Sequence, residues 1–93
     1  MIPLQNFSAG VLAEIVRRQP ASKERTAFAW QLAVGPALAR ATTVELGESG
    51  VLTVRAIDQR WIVEIDRARE AVLQKMQHFL GPGQVKRIKT RST

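Results

Sequence analysis

The sequence predicts an α+β fold: one three-stranded sheet with helices on one face, in the order helix, helix, strand, strand, helix, strand. At Asp58 the apolar period changes from two to three-and-four, so a strand feeds directly into a long helix. Residues 42–57 divide into two alternating runs around Glu48-Ser49-Gly50, which is a hairpin pattern. Near the end, Ile88 alternates with Arg87, Lys89 and Arg91, which is a strand with one apolar and one basic face.

Residues 1–7 form a lead-in, and Ser8 suits the N-cap of a first helix. Val11, Leu12, Ile15 and Val16 give that helix an apolar face, and Pro20 ends it. The connection from Arg17 to Arg25 holds Arg17, Arg18, Lys23 and Arg25 against one acid, Glu24. Ser22 caps a second helix that starts near Lys23. Phe28, Leu32 and Ala39 continue its apolar face, with Trp30 and Val34 beside it. Gly35-Pro36 bends or breaks this helix, because Pro36 has no amide for the carbonyl of Leu32. A short restart at Pro36 is equally compatible, since proline fits a first turn.

Thr42 to Gly47 reads as a strand with Val44 and Leu46 on one face and Thr43 and Glu45 on the other. Leu46 opposite Leu52 and Val44 opposite Val54 keeps like faces together, with Gly50 in the left-handed position of a three-residue loop. A two-residue loop sets apolar positions against polar ones and is rejected. Asp58 caps the long helix, whose face runs Trp61, Ile65, Ala68, Val72, Met76 and Phe79, and Gly81 stops it. Residues 84–91 form the last strand. Its return after the helix predicts a right-handed crossover, hence pairing parallel to the second strand.

Ninety-three residues make one domain, 1–93, with 91–93 as a short tail. The apolar content of 45% fits a folded globule. Cysteine is absent, which excludes a disulfide frame and thiolate metal sites. The apolar run Val11 to Val16 is interrupted by Glu14, unlike a secretory leader, and no stretch suffices to span a membrane. A cytoplasmic protein is expected. Net charge is +6. It divides as +3 over residues 1–41, −1 over 42–57, zero over 58–83 and +4 over 84–93. A polyanion is therefore the first partner to consider.

No nucleotide loop, dinucleotide fingerprint or nucleophile elbow is present, and His78 stands without a second histidine or a carboxylate pair. Neither an enzyme nor a cofactor is expected. Gly47-Glu48-Ser49-Gly50 has the letters of a GxxG phosphate clamp. It joins strands rather than helices, and Glu48 repels phosphate, so it reads as a turn. Trp30 and Trp61 fall on apolar helical phases and are assigned to packing rather than base stacking. The polar sheet face, Thr43, Glu45, Thr53, Arg55, Arg87, Lys89 and Arg91, has no aromatic platform. What remains is phosphate contact without base readout. The candidate nucleic-acid residues are Arg17, Arg18, Lys23, Arg25, Arg55, Lys86, Arg87, Lys89 and Arg91. A nucleic acid is the expected partner, with DNA and RNA both open on the residues alone; an acidic protein surface met by the same cations is the alternative.

The run Trp30-Gln-Leu-Ala-Val-Gly35-Pro-Ala-Leu-Ala39, then Leu52-Thr-Val54, Asp58-Gln-Arg-Trp61 with Ile65, and Leu80-Gly81 before Val85 and Ile88 resembles the DciA-like family. The likeness covers about residues 25–90. It implies a KH-like domain, DNA binding, and association with the bacterial replicative DnaB-type helicase. Trp30, Gly35 and Trp61 match the family pattern and are carried over as structural signatures.

Overall fold

The second helix breaks at Gly35, where φ is +89°, a backbone angle that favours glycine. Its amide closes α2 (Lys23–Val34) by donating to the Gln31 carbonyl at 2.9 Å. Pro36 then opens a short α3 (Pro36–Arg40), so the restart is realised. These elements come from a computed structural model, which describes residues 9–92. The lead-in 1–7 and the Ser8 cap lie outside the described residues. α1 (Ala9–Arg18) precedes α2, and Ser22 caps α2 by accepting from the Arg25 amide at 3.0 Å.

β1 (Thr42–Leu46) and β2 (Val51–Ala56) pair antiparallel in the expected register, Leu46 with Leu52 and Val44 with Val54. The loop is Glu48-Ser49-Gly50, closed by the Gly47 amide on the Val51 carbonyl at 3.0 Å. Gly50 sits at φ +86°, as a three-residue loop requires. β3 (Arg87–Ser92) pairs parallel to β2, so the sheet order is β1-β2-β3. β3 begins three residues later than expected. Residues 81–84 are used in a turn, with the Gln84 amide on the Gly81 carbonyl at 3.1 Å, and Val85 is buried as an anchor. The strand also continues through Ser92, so Arg91 and Ser92 are paired rather than a tail.

The long helix is two: α4 (Gln59–Arg67) and α5 (Arg69–Leu80), broken at Ala68 with φ −100° and ψ 10°. The element order is thus three helices, two strands, two helices and a strand. Asp58 caps α4 by accepting from the Arg60 amide at 2.9 Å, and Gly81 ends α5 at φ +105°. Among the described residues, no helix is long and apolar enough to cross a membrane.

One sheet face is apolar: Leu52, Val54, Ala56 and Ile88 are buried. Val16, Trp30, Ile65 and Met76 belong to the same buried layer as Leu52, Val54 and Ile88, on the helix side. Burying each large aliphatic side chain contributes about 1.5–3 kcal/mol. Trp30 brings its polar edge inside as well. Its Nε1–H donates to Thr42 Oγ1 at 2.8 Å, and that hydroxyl donates to the Leu38 carbonyl at 2.8 Å. One buried chain of bonds thus ties α2, α3 and the start of β1.

Three expected faces turn out rotated. In α1 the buried residues are Ala13 and Val16, while Val11 and Ile15 are exposed. In α2 they are Thr26, Ala29, Trp30 and Ala33, with Phe28 and Leu32 only half-buried. In α4 they are Ile62 and Ile65, leaving Trp61 half-buried and Ala68 exposed. Small residues lie at the contact lines of α1 and α2, and size-weighted reading of the sequence passes over them.

Candidate nucleic-acid interface

Alternation along the strands decides which side chains share the solvent face of the sheet. Register sets Thr43, Arg55 and Arg91 in one row across the three strands, and Glu45, Thr53 and Lys89 in the next. Arg87 lies beside Val51 in the row after that. Arg55, Arg87, Lys89 and Arg91 are all exposed. None of the four has a side-chain ion pair or hydrogen bond within the described residues, whose salt bridges involve Arg18, Arg60 and Arg69 instead. The three on β3 repeat every second residue, about 6.6 Å apart along the strand. Glu45 is the one acid in these rows, and no aromatic accompanies them.

Two further cations border this face and were missed by the sequence reading. Arg40, in the last turn of α3, lines a shallow pocket with Thr43, Arg55 and Ile57, which is itself 80% exposed. At the other edge Arg69 lines a depression with Arg87, Ile88, Lys89 and Thr90. Arg69 is already engaged. It donates to the Ile88 carbonyl and to Asp66, and Asp66 also accepts from Thr90 Oγ1 at 3.2 Å. No local signal marks either arginine, because each comes alongside the sheet only through the fold.

The remaining candidates do not join the sheet face. The α1–α2 turn belongs to the helix layer, on the other side of the sheet. Arg17 donates to the His78 carbonyl at 2.9 Å, near the end of α5. Arg18 pairs with Glu14 at 2.6 Å. Arg25 donates weakly to the Gln19 carbonyl at 3.4 Å, and Lys23 is exposed on the first turn of α2. Lys86 runs its stem against Gly50, at a position that alternation turns away from the open face. The candidate cations therefore fall into two groups, and only the group on the sheet consists of cations in register that are unengaged among the described residues.

Asp58 and Arg60 form an exposed pair at 2.8 Å. The side-chain and backbone hydrogen bonds from Arg60 hold the Asp58 carboxyl below its usual range. The guanidinium is raised in turn. Between Arg60, Val63 and Glu64, the ring of Trp61 borders a mainly apolar surface depression. Trp61 lies outside the buried core, and Val63 is 43% exposed. Among the described residues, no three His, Asp or Glu side chains are grouped to hold a metal.

The family model described as "Dna[CI] antecedent, DciA" matches residues 4–90, nearly the whole chain. The chain belongs to the DciA family. No curated protein matches it closely enough to count as a relative. DciA membership implies a role in replication as a loader of the DnaB helicase, and association with that helicase. Within this DciA chain, Trp30 is a core residue and Gly35 a helix-breaking one. Trp61 is only half-buried, which departs from the packing role expected of it.

Proposed function

We propose that this chain is a non-enzymatic, sequence-tolerant DNA-binding adaptor of the replicative helicase, with the nucleic acid lying across the open face of the sheet. One observation carries the reading. Arg55, Arg87, Lys89 and Arg91 stand in register on that face, exposed and without an ion pair among the described residues. Cations at this pitch follow an extended phosphate backbone, and without aromatic or amide side chains they do not identify bases. We read the layout as KH-like, but the Gly47–Gly50 stretch is a hairpin loop and not a phosphate clamp.

The test is fluorescence anisotropy of a short labelled oligothymidylate against salt. Four phosphate contacts give a slope of log affinity on log salt near −3 for a single strand and about −3.6 for a duplex. Affinity that is flat with salt overturns the reading. Matched DNA and RNA oligomers in competition decide between the two polymers, and a preference for RNA transfers the same face to RNA.

The contact with the helicase falls, on this reading, at the Trp61–Val63 depression. An apolar surface depression lined by an aromatic is a common protein contact. Trp61→Ala is expected to reduce helicase co-purification under nuclease treatment while leaving oligothymidylate affinity unchanged. Full retention of helicase removes this assignment.

A further inference from the structure

We propose that the outer edge of β1 takes up an extended segment of a protein partner as a fourth strand. This goes beyond the DNA-binding reading and does not depend on it. In an antiparallel ladder the hydrogen-bonded pairs alternate. The Gly47 amide bonds the Val51 carbonyl, so Glu45 and Thr43 also turn their backbone groups toward β2. Val44 and Leu46 therefore aim theirs outward, and β1 is an edge of the sheet. Among the described residues, no group from another element bonds those outward amides and carbonyls.

The opposite edge is handled differently. There the outward carbonyl of Ile88 accepts from Arg69, which the Asp66 carboxylate holds in place. Proteins guard exposed strand edges with such caps, or with lysine and proline. β1 is a short strand with no such cap among the described residues and no lysine or proline, and its one charged residue is Glu45.

Against the end of β1 lies a cleft of about 410 Å³, walled by Ala21 to Lys23, Arg25 and Thr26 on the helix side and by Val44 to Glu48 on the strand side, and bounded also by Gly83 and Gln84 of the turn before β3. Backbone donors and acceptors along one wall specify an extended chain, and the cleft gives room for its alternate side chains. Charge narrows the occupant. Glu45 and Glu48 on the strand wall oppose a nucleic acid. A second copy pairing through the same stretch sets acid near acid. Lys23 and Arg25 line the other wall, and Arg25 Nε is buried without a hydrogen-bond partner among the described residues. A carboxylate from an incoming strand is attracted to these two cations. The occupant is thus a polypeptide strand with basic side chains toward Glu45 and Glu48 and acidic ones toward Lys23 and Arg25.

The probe is the capped peptide Thr-Val-Lys-Glu-Lys-Val-Thr, read by amide hydrogen exchange on the full chain. The Val44 and Leu46 amides are expected to exchange rapidly in the free protein and to slow at least about tenfold on saturation. The peptide with lysine and glutamate exchanged has no such effect, and the double variant Lys23→Glu, Glu45→Lys reverses the preference. Three results overturn the proposal. One is no slowing at millimolar peptide. Another is protection in the free monomer, which means that the chain covers its own edge. The third is protection that rises with protein concentration alone, which assigns the edge to a second copy.

Discussion

Replacing Arg87, Lys89 and Arg91 together by glutamine strips three of the four unengaged cations from the open face and leaves Arg55. All three are exposed and bond to nothing through their side chains within the described residues, so the fold should tolerate the change. Each phosphate contact contributes about 0.7 to the single-strand salt slope. Wild type is expected near −2.8, and the variant near −0.7. Raising salt from about 50 to about 200 mM then weakens wild-type binding about 50-fold and variant binding only about 2.6-fold. Anisotropy titrations at four or five salt concentrations measure both slopes directly. The control is Arg17→Gln with Arg18→Gln, which removes two cations from the helix layer and is expected to leave the slope unchanged. If that control flattens the slope while the triple variant does not, the nucleic acid lies on the α1–α2 turn. The assignment to the sheet is then refuted.

Trp30→Phe removes the buried donor to Thr42 Oγ1 and should destabilise the chain by about 1–3 kcal/mol, read from urea midpoints at constant m-value. Gly50→Ala meets a left-handed backbone and a Cβ position 2.9 Å from Lys86 Cγ, so a loss of about 1–2 kcal/mol is expected from the backbone alone. The Asp58 carboxyl titrates below its usual range, so the charge-based part of its cap holds above the unfolded value. It is lost as pH falls through the lowered folded one. Thermal unfolding of wild type and Asp58→Asn should therefore differ near neutral pH and converge in strong acid.

Local chemistry was legible wherever one residue type does one job. Asp58 and Ser22 cap, Gly81 stops a helix, and Gly50 takes the left-handed loop position. The register of the hairpin followed from keeping Leu46 and Val44 on the face of Leu52 and Val54. Ile88 against its three basic neighbours correctly oriented the last strand. What the pattern did not reveal depends on which helix meets which. Ala13, Ala29 and Ala33 are core positions because small residues let helices approach closely, and their size hides them in an apolar count. The break at Ala68 leaves the local bonding partly intact, since its amide still reaches Glu64 and Ile65 at 3.3 and 3.2 Å. No glycine or proline announces it. For the candidate interface, the cations on β3 could be read from alternation alone. The separation of Arg17, Arg18, Lys23 and Arg25 from them could not, because it depends on the helix layer and the open sheet face being opposite sides of one sheet.

The Gly50 carbonyl accepts from both the Lys86 amide, at 2.7 Å, and the Arg87 amide, at 3.3 Å. The hairpin tip is therefore the seat on which the third strand is laid. A hairpin closes in about 1–10 μs, whereas a parallel strand must wait for its whole crossover. The basic segment is thus expected to arrive late in folding and to be among the first to peel away. A polyanion that engages only the assembled sheet would hold that segment down by mass action, raising the melting temperature as its concentration rises.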